Sequence, residues 1–220
     1  MANNYYDANG VLVLDQVTPV ITALFGRLKL NASYPGDGQA YISLIYDESC
    51  PSWDTICEDL ATLAMSLGLS MPDEQTPSLD QVLEVLSQHF GADQDEELEN
   101  LIEHHPFEDA ISLDALFLIA TRFNDGHSLK EIRMEGCWHS SKPRLFEFGG
   151  DGYFLSRECE VYRTSGQSLR LGNDLRKALL VNDLDGAADV LVRETQCLLA
   201  GVNDGAQRAQ LKQRLSDLLR

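Results

Sequence analysis

The spacing of apolar residues changes several times along the chain. Short apolar runs come first, up to about residue 47, and a helical spacing of three or four residues then continues to about residue 123. Two-residue alternation follows in residues 129–163, and helical spacing returns in the remainder. Alternation is typical of strands and the wider spacing of helices. This order predicts an α+β fold with a small antiparallel or mixed sheet, a helical insert and a C-terminal helical section.

The N-terminal part predicts two strands with a helix between them. The strands are the apolar runs "GVLVLD" (10–15) and "QAYISLIYD" (39–47). Thr18 can cap a helix whose first position is Pro19, since the proline there sacrifices no helical hydrogen bond. The segment "YPGDG" (34–38) predicts a turn before the second strand, because its glycines reach positive φ.

The helical insert, about residues 48–123, divides into four predicted helices. Ser52 and Ser78 are suitable N-cap residues for the first two, and a glycine follows each of them. "DEELENLIEHH" (95–105) predicts a short acidic helix. "SLDALFLIATRF" (112–123) is apolar on nearly all sides, which predicts a buried central helix.

The second half predicts a three-stranded meander followed by helices. The strands are "LKEIRMEGCWH" (129–139), "RLFEFGG" (144–150) and "DGYFLSRECEVYR" (151–163), with "GGDG" (149–152) as a hairpin turn.

A turn, "TSGQSLRLGND" (164–174), then leads to the final helices. We expect an α+β domain over residues 1–165, which contains the acidic insert, and a C-terminal helical region over residues 166–220.

Charge is distributed very unevenly. The net charge is −18, and residues 1–128 hold 22 acidic but only 3 basic residues. Between Leu30 and Thr121 there are 19 carboxylates and no Lys or Arg. Repulsion from phosphates argues against direct binding of nucleic acid or anionic lipid through this half.

The densest acidic segment is "GADQDEELENLIEHHPFED" (91–109). An ordinary soluble helix places Lys or Arg near its acids, because pairs at i,i+4 stabilise it. This segment has none, which indicates either a solvated face that aids solubility or an array that imitates nucleic-acid phosphates. We predict a partner-binding surface made of its eight carboxylates: Asp93, Asp95, Glu96, Glu97, Glu99, Glu103, Glu108 and Asp109.

The histidines and cysteines are weaker candidates for a functional site. His104 and His105 are adjacent and point about 100° apart on a helix, so they do not readily share one metal ion. Cys137 and His139 lie two apart on a predicted strand, which supplies two ligands where zinc needs three or four. The five cysteines are odd in number and widely spaced, which favours reduced thiols over disulfides. No catalytic residue, metal site or cofactor is predicted.

The chain carries no signal for a membrane. No apolar run reaches the roughly 20 residues of a spanning helix, and "MANNYYDANG" lacks the basic and apolar regions of a signal peptide. A cytoplasmic location is expected.

Two segments carry a resemblance. "YYDANGVLVLDQVTPVITALFG" and "GCWHSSKPRLFEFGGDGYFLSRECEVY" resemble uncharacterised accessory proteins of bacterial plasmids and integrative conjugative elements, over residues 5–163. The resemblance implies that the protein is carried by a mobile genetic element, and it implies no site residues. Small acidic proteins of such elements often counter host defences, as anti-restriction and anti-CRISPR proteins do, and some imitate DNA.

Three functions remain open at this point. The first is a non-enzymatic acidic protein that blocks a basic nucleic-acid-binding surface of a host-defence or DNA-handling complex. The second is a metal-dependent enzyme that uses carboxylates with His104, His105 or His139. The third is a soluble accessory or oligomerising protein whose acidity only aids solubility. Its final helix, with Leu211, Leu215, Leu218 and Leu219, is either a homodimer contact or a helix packed on its own domain.

Overall fold

The computed structural model describes residues 4–45, 51–71, 77–108, 110–142, 145 and 147–219. Over these residues it contains eight α-helices and six strands, which confirms the predicted α+β class. The elements are β1 (Asn4–Val13), α1 (Pro19–Phe25), β2 (Asn31–Pro35), β3 (Gln39–Ile45), α2 (Trp53–Ser66), α3 (Leu79–Phe90), α4 (Glu96–His104), α5 (Leu113–Arg122), β4 (Glu131–Ser140), β5 (Gly149–Ser156), β6 (Glu160–Thr164), α6 (Ser165–Leu180), α7 (Leu184–Ala200) and α8 (Gly205–Leu218).

The strands form one sheet in the order β2-β3-β1-β4-β5-β6. The pairs β1–β3, β2–β3 and β5–β6 are antiparallel. Contacts divide the chain into a central unit, Asp7–Ile132, and a terminal unit made of Met1–Tyr6 and Arg133–Arg220. The central unit contains the acidic helices, and the terminal unit contains the C-terminal helices.

The core of the central unit surrounds α5. Leu116, Ile119 and Ala120 of this helix are completely buried, as the apolar sequence predicted. The ring of Phe123 stacks on Phe90 of α3 with centroids 5.3 Å apart. His127 is also completely buried, but both of its ring nitrogens have backbone partners, so it is a satisfied core residue.

The predicted helix starts of the central unit are confirmed. Thr18 accepts a hydrogen bond from the backbone of Ile21, and Pro19 is the first residue of α1. Ser52 and Ser78 each form a capping box, in which the cap and the third helical residue satisfy each other's backbone. These ends follow from contacts within four residues, which is why the sequence shows them.

The first strands differ from the prediction. β1 begins at Asn4 rather than at residue 10, and β2 (Asn31–Pro35) was not predicted at all. Every residue of β2 is exposed and it lies at the sheet edge, so it has no buried side to produce an apolar alternation. The second predicted strand ends at Ile45, and the last residues predicted for it, 46 and 47, lie outside the described residues.

The predicted hairpin at "GGDG" is wrong, because these residues belong to strand β5. A Cβ atom on Gly149 would collide with the indole ring of Trp138, so this glycine permits close packing rather than a turn. The hairpin turn lies after Ser156 instead, where the backbone of Ser156 donates to Cys159. The strand predicted over residues 144–150 falls partly outside the described residues.

The predicted turn over residues 164–174 is also wrong, because α6 begins there. Thr164 caps this helix and forms a capping box with Gln167. The small and polar residues that suggested a turn therefore supply the helix start, which is the other common use of Ser, Thr and Gly.

The loop between α7 and α8 attaches the C-terminal helices to the β5–β6 turn. The backbone of Glu160 donates to Gly201 (2.8 Å), and that of Asn203 donates to Glu158 (3.0 Å). The Asn203 side chain also donates to the carbonyl of Arg157 (2.9 Å). This backbone contact leaves no room for a side chain at Gly201, whose added Cβ would overlap the Glu160 carbonyl oxygen.

Among the described residues, no helix is both long and apolar enough to cross a membrane.

Gly201→Ala is expected to lower the free energy of unfolding by about 1 to 3 kcal/mol, because the backbone oxygen that it meets cannot rotate away. Gly205→Ala is the matched control, since nothing lies within 4 Å of its added Cβ at the first position of α8. The control is expected to raise the free energy of unfolding by up to about 1 kcal/mol. Urea unfolding followed by circular dichroism measures both, and equal shifts for the two variants would contradict this account of the loop.

Candidate acidic binding groove

Helix α4 is held in place by one arginine and one leucine. Asp95 is its N-cap and accepts from the backbone of Leu98 (3.0 Å). Arg122, the last residue of α5, donates to the second carboxylate oxygen of Asp95 (2.6 Å) and also to Glu97. Leu98 is the one residue of α4 that is completely buried. Two of the predicted site residues are therefore bound within the chain, contrary to the interpretation that no basic residue serves them.

A groove of about 180 Å³ lies between α3 and α4. Its apolar floor contains Ala92 and Leu98, with Ile102 beside them. Four carboxylates line it, and none of its described lining residues is Lys or Arg. The four are Glu84, Asp93, Glu99 and Glu103.

The two helices produce this groove through their amphipathic patterns. α3 buries Val82, Leu83 and Leu86, which leaves Glu84 and Gln88 one turn apart on its exposed side. Glu99 and Glu103 are likewise four residues apart on α4. Each helix thus contributes a pair of polar side chains to the groove.

The chemistry of the groove suits a cationic side chain. Carboxylates accept charge-assisted hydrogen bonds from guanidinium or ammonium groups. The methylene stem of Arg or Lys can lie along an apolar floor while its charged head reaches the carboxylates. An apolar floor under a carboxylate rim matches both parts of such a side chain.

The predicted acidic residues therefore separate into groups. Asp93, Glu99 and Glu103 line the groove, whereas Asp95 and Glu97 bind Arg122. Glu96 and Glu108 are exposed outside it, and Asp109 lies outside the described residues.

Glu84 lines the groove but was not among the predicted residues. Its signal in the sequence was its place on the polar side of α3, four residues before Gln88. Glu84 is far in sequence from the densest acidic run, and α3 and α4 meet only in the folded chain, so the sequence alone did not connect them.

A larger open groove lies between α1 and α2, with a volume of about 720 Å³. Its charged residues neutralise each other, because Arg27 binds Asp59 through two hydrogen bonds of 2.7 and 2.8 Å. That groove lacks unpaired charge to attract a partner, so the smaller acidic groove is the better candidate.

The histidines take structural positions. Nδ1 of His104 lies 3.2 Å from the carbonyl of Asn100, and Nδ1 of His105 accepts from the backbone of Phe107. His139 stacks on Tyr5 with ring centroids 5.1 Å apart. Within the described parts of the chain, no three His, Cys, Asp or Glu side chains are arranged to hold a metal ion.

The terminal unit contains a hydrogen-bonded cluster that the sequence did not predict. The hydroxyls of Tyr6 and Tyr162 both donate to the carboxylate of Asp151, at 3.1 Å each. Burial raises the pKa of Tyr6, and the charge of Asp151 raises it further. Burial and the hydrogen bond to Asp151 also raise the pKa of Tyr162. The cluster crosses strands that are far apart in sequence, so no local pattern reveals it.

No protein-family model matches the chain, and no curated protein or solved structure matches it either. The resemblance to accessory proteins of mobile elements therefore stays a prediction, and the geometry of the acidic groove carries the functional proposal.

Arg122→Gln is expected to lower the free energy of unfolding by about 1 to 3 kcal/mol, because it removes charged hydrogen bonds from the partly buried Asp95. Glu97→Gln is the matched control. The Glu97 side chain is 72% exposed, so removing its charge should lower the free energy of unfolding by less than about 1 kcal/mol. Urea unfolding measures both, and an unchanged midpoint for Arg122→Gln would show that α4 does not depend on this arginine.

Tyr6 and Tyr162 are expected to ionise above the ordinary tyrosine pKa of 10.0. Folding raises the pKa of both hydroxyls, so their protonated forms stabilise the folded chain. This stabilisation is complete below the ordinary pKa of 10.0 and is lost as pH rises through the folded-state pKa. Asp151→Asn should lower both pKa values, and burial should keep that of Tyr6 above the ordinary value. Absorbance at 295 nm, compared between the unchanged chain and Tyr6→Phe or Tyr162→Phe, isolates the titration of each residue, and ionisation of either one near pH 10 is the contrary result.

Proposed function

We propose that the protein is a non-enzymatic binding protein that occupies a basic nucleic-acid-binding surface. The partner is a basic protein or complex of host defence or DNA handling, so that the chain acts as an inhibitor of the anti-restriction or anti-CRISPR type. The observation that carries the proposal is the groove between α3 and α4, where four carboxylates face solvent over an apolar floor without a basic neighbour among the described lining residues.

Unpaired charge distinguishes this surface from an ordinary solvated helix. Neighbouring carboxylates still repel one another at physiological ionic strength, where screening acts over about 8 Å. The chain relieves this repulsion at Asp95 and Glu97 with Arg122, yet it leaves the groove carboxylates without a Lys or Arg partner. A basic partner would remove that repulsion on binding, and this favours association.

The charge density approaches but does not reach that of DNA. α4 has nine residues and is therefore about 13 Å long. Duplex DNA carries about eight charges over that length, at one per roughly 1.7 Å. The described acids around the helix that have no Lys or Arg partner number five: Glu84, Asp93, Glu96, Glu99 and Glu103, the last of which lies 3.9 Å from Nδ1 of His104. The surface can thus compete for part of a phosphate-binding site, and electrostatic attraction would speed the encounter.

The test replaces Glu99 and Glu103 with Lys in one variant. The matched control replaces Glu135 and Glu160, two exposed carboxylates of the terminal unit, with Lys, so that both variants change net charge equally. Each protein is immobilised and exposed to nuclease-treated bacterial lysate at low and high salt, and captured proteins are identified by mass spectrometry.

We expect the unchanged chain and the control to capture the same basic nucleic-acid-binding protein. High salt and added duplex DNA should both release it. The groove variant should bind it about 100-fold more weakly, because like charges placed opposite one another cost several kcal/mol. Equal capture by the groove variant and the control would show that the groove is not the binding surface.

A further inference from the structure

The three C-terminal helices leave most of their large apolar side chains in contact with solvent. Among the described residues from 165 to 219, Ala187 is the one buried hydrophobic residue. Eleven large hydrophobic side chains of the same segment are exposed: Leu169, Leu179, Leu180, Val181, Leu184, Leu191, Val192, Leu198, Leu211, Leu218 and Leu219. A helical segment of this length normally buries one apolar side, so a further surface is needed to cover it.

Helix α7 shows the clearest pattern. Leu184, Leu191 and Leu198 recur every seven residues and are 64%, 52% and 48% exposed. Ala188 and Thr195 lie between them, which gives the alternating spacing of four and three residues that places side chains in one stripe. We call these five residues the α7 stripe.

An adjacent side of α7, centred about 90° around the helix from the stripe, already has its packing within the terminal unit. Ala187 is buried and Val190 is half-buried, and they lie outside the stripe. Arg163 of β6 also forms an ion pair with Glu194. The helix is therefore apolar on two sides, one that is covered and one that is not.

We propose that the α7 stripe is the contact between two copies of this chain. Leucines at seven-residue spacing are self-complementary, because each can insert between those of a symmetry-related helix. A two-fold axis places the same stripe on both partners, so no second type of surface is required.

The charges of the neighbouring helices favour the same arrangement. α7 carries three acidic residues and one basic residue, whereas α6 and α8 each carry three basic residues and one acidic residue. Both α6 and α8 contact α7 in the folded chain. In a two-fold contact each α7 meets the acidic α7 of the other copy and also approaches its basic α6 and α8, whose net charges of +2 each outweigh the −2 of α7.

A contact of standard size requires all three helices. The three helices have 16, 17 and 14 residues, so they are about 21 to 26 Å long and about 10 Å wide. The α7 face alone spans about 260 Å², so the contact must extend over its neighbours, and the three helices together offer at most about 700 Å², against roughly 800 Å² that each partner contributes to a standard interface. This inference does not rest on the acidic groove, which belongs to the central unit.

Sedimentation equilibrium of the full chain between 1 and 100 µM tests the proposal. The expected mass is about 49 kDa, twice the 24.5 kDa of one chain, at the higher concentrations. Leu191→Glu should remain at 24.5 kDa at concentrations at least 100-fold above those at which the unchanged chain dimerises. Gln196→Glu is the matched control, since it adds the same charge to α7 about 140° away around the helix, and it should still dimerise.

Two results would overturn the proposal: a mass of 24.5 kDa for the unchanged chain at 100 µM, or a Leu191→Glu variant that dimerises as the unchanged chain does. If circular dichroism shows that Leu191→Glu has lost helix, its failure to dimerise does not test the stripe. Hydrogen exchange of the unchanged chain then tests the proposal instead. Amides of α7 must then exchange more slowly at 100 µM than at 1 µM, and equal rates would also overturn the proposal.

Discussion

The contact between Arg122 and the start of α4 is the interaction on which the acidic groove depends. A nine-residue helix is too short to be stable alone in water, and α4 completely buries only Leu98. Arg122 extends from the buried helix α5 and binds both the N-cap Asp95 and the first-turn Glu97. It therefore fixes the position of α4 against the core. The carboxylates that face α3 acquire their geometry from this contact.

Basic residues are few in the central unit, and the folded chain uses them for structure. Arg27 binds Asp59 beside α1 and α2, and Lys130 binds Asp15 at 2.8 Å. Arg122 serves α4. Each of these cations neutralises carboxylates at a junction between elements, so the remaining acids form a surface of one sign. Such a surface repels nucleic acid, and the proposed function assigns it a basic protein partner.

Local features of the fold could be predicted from the sequence, whereas features that depend on distant contacts could not. Thr18 and Ser52 report contacts within one helical turn, and α5 is apolar on nearly all sides, which indicates burial. The structure confirms all three. Gly149 was misread as a turn residue because the Trp138 ring above it lies eleven positions earlier. The acidic surface was visible as composition. The shape of that surface could not be predicted, because the position of α4 depends on the contact between Arg122 and Asp95, which are 27 residues apart.

The most direct test of the account is to locate where a cation binds. A ¹⁵N-labelled sample can be titrated with a short arginine-rich peptide while amide chemical shifts are recorded at two salt concentrations. Chemical shift changes should concentrate in α3, α4 and the residues between them, and the peptide should bind more weakly at high salt. Shifts spread evenly over the exposed carboxylates of α2, α4 and the C-terminal helices would contradict this expectation, because binding would then follow net charge and not the groove.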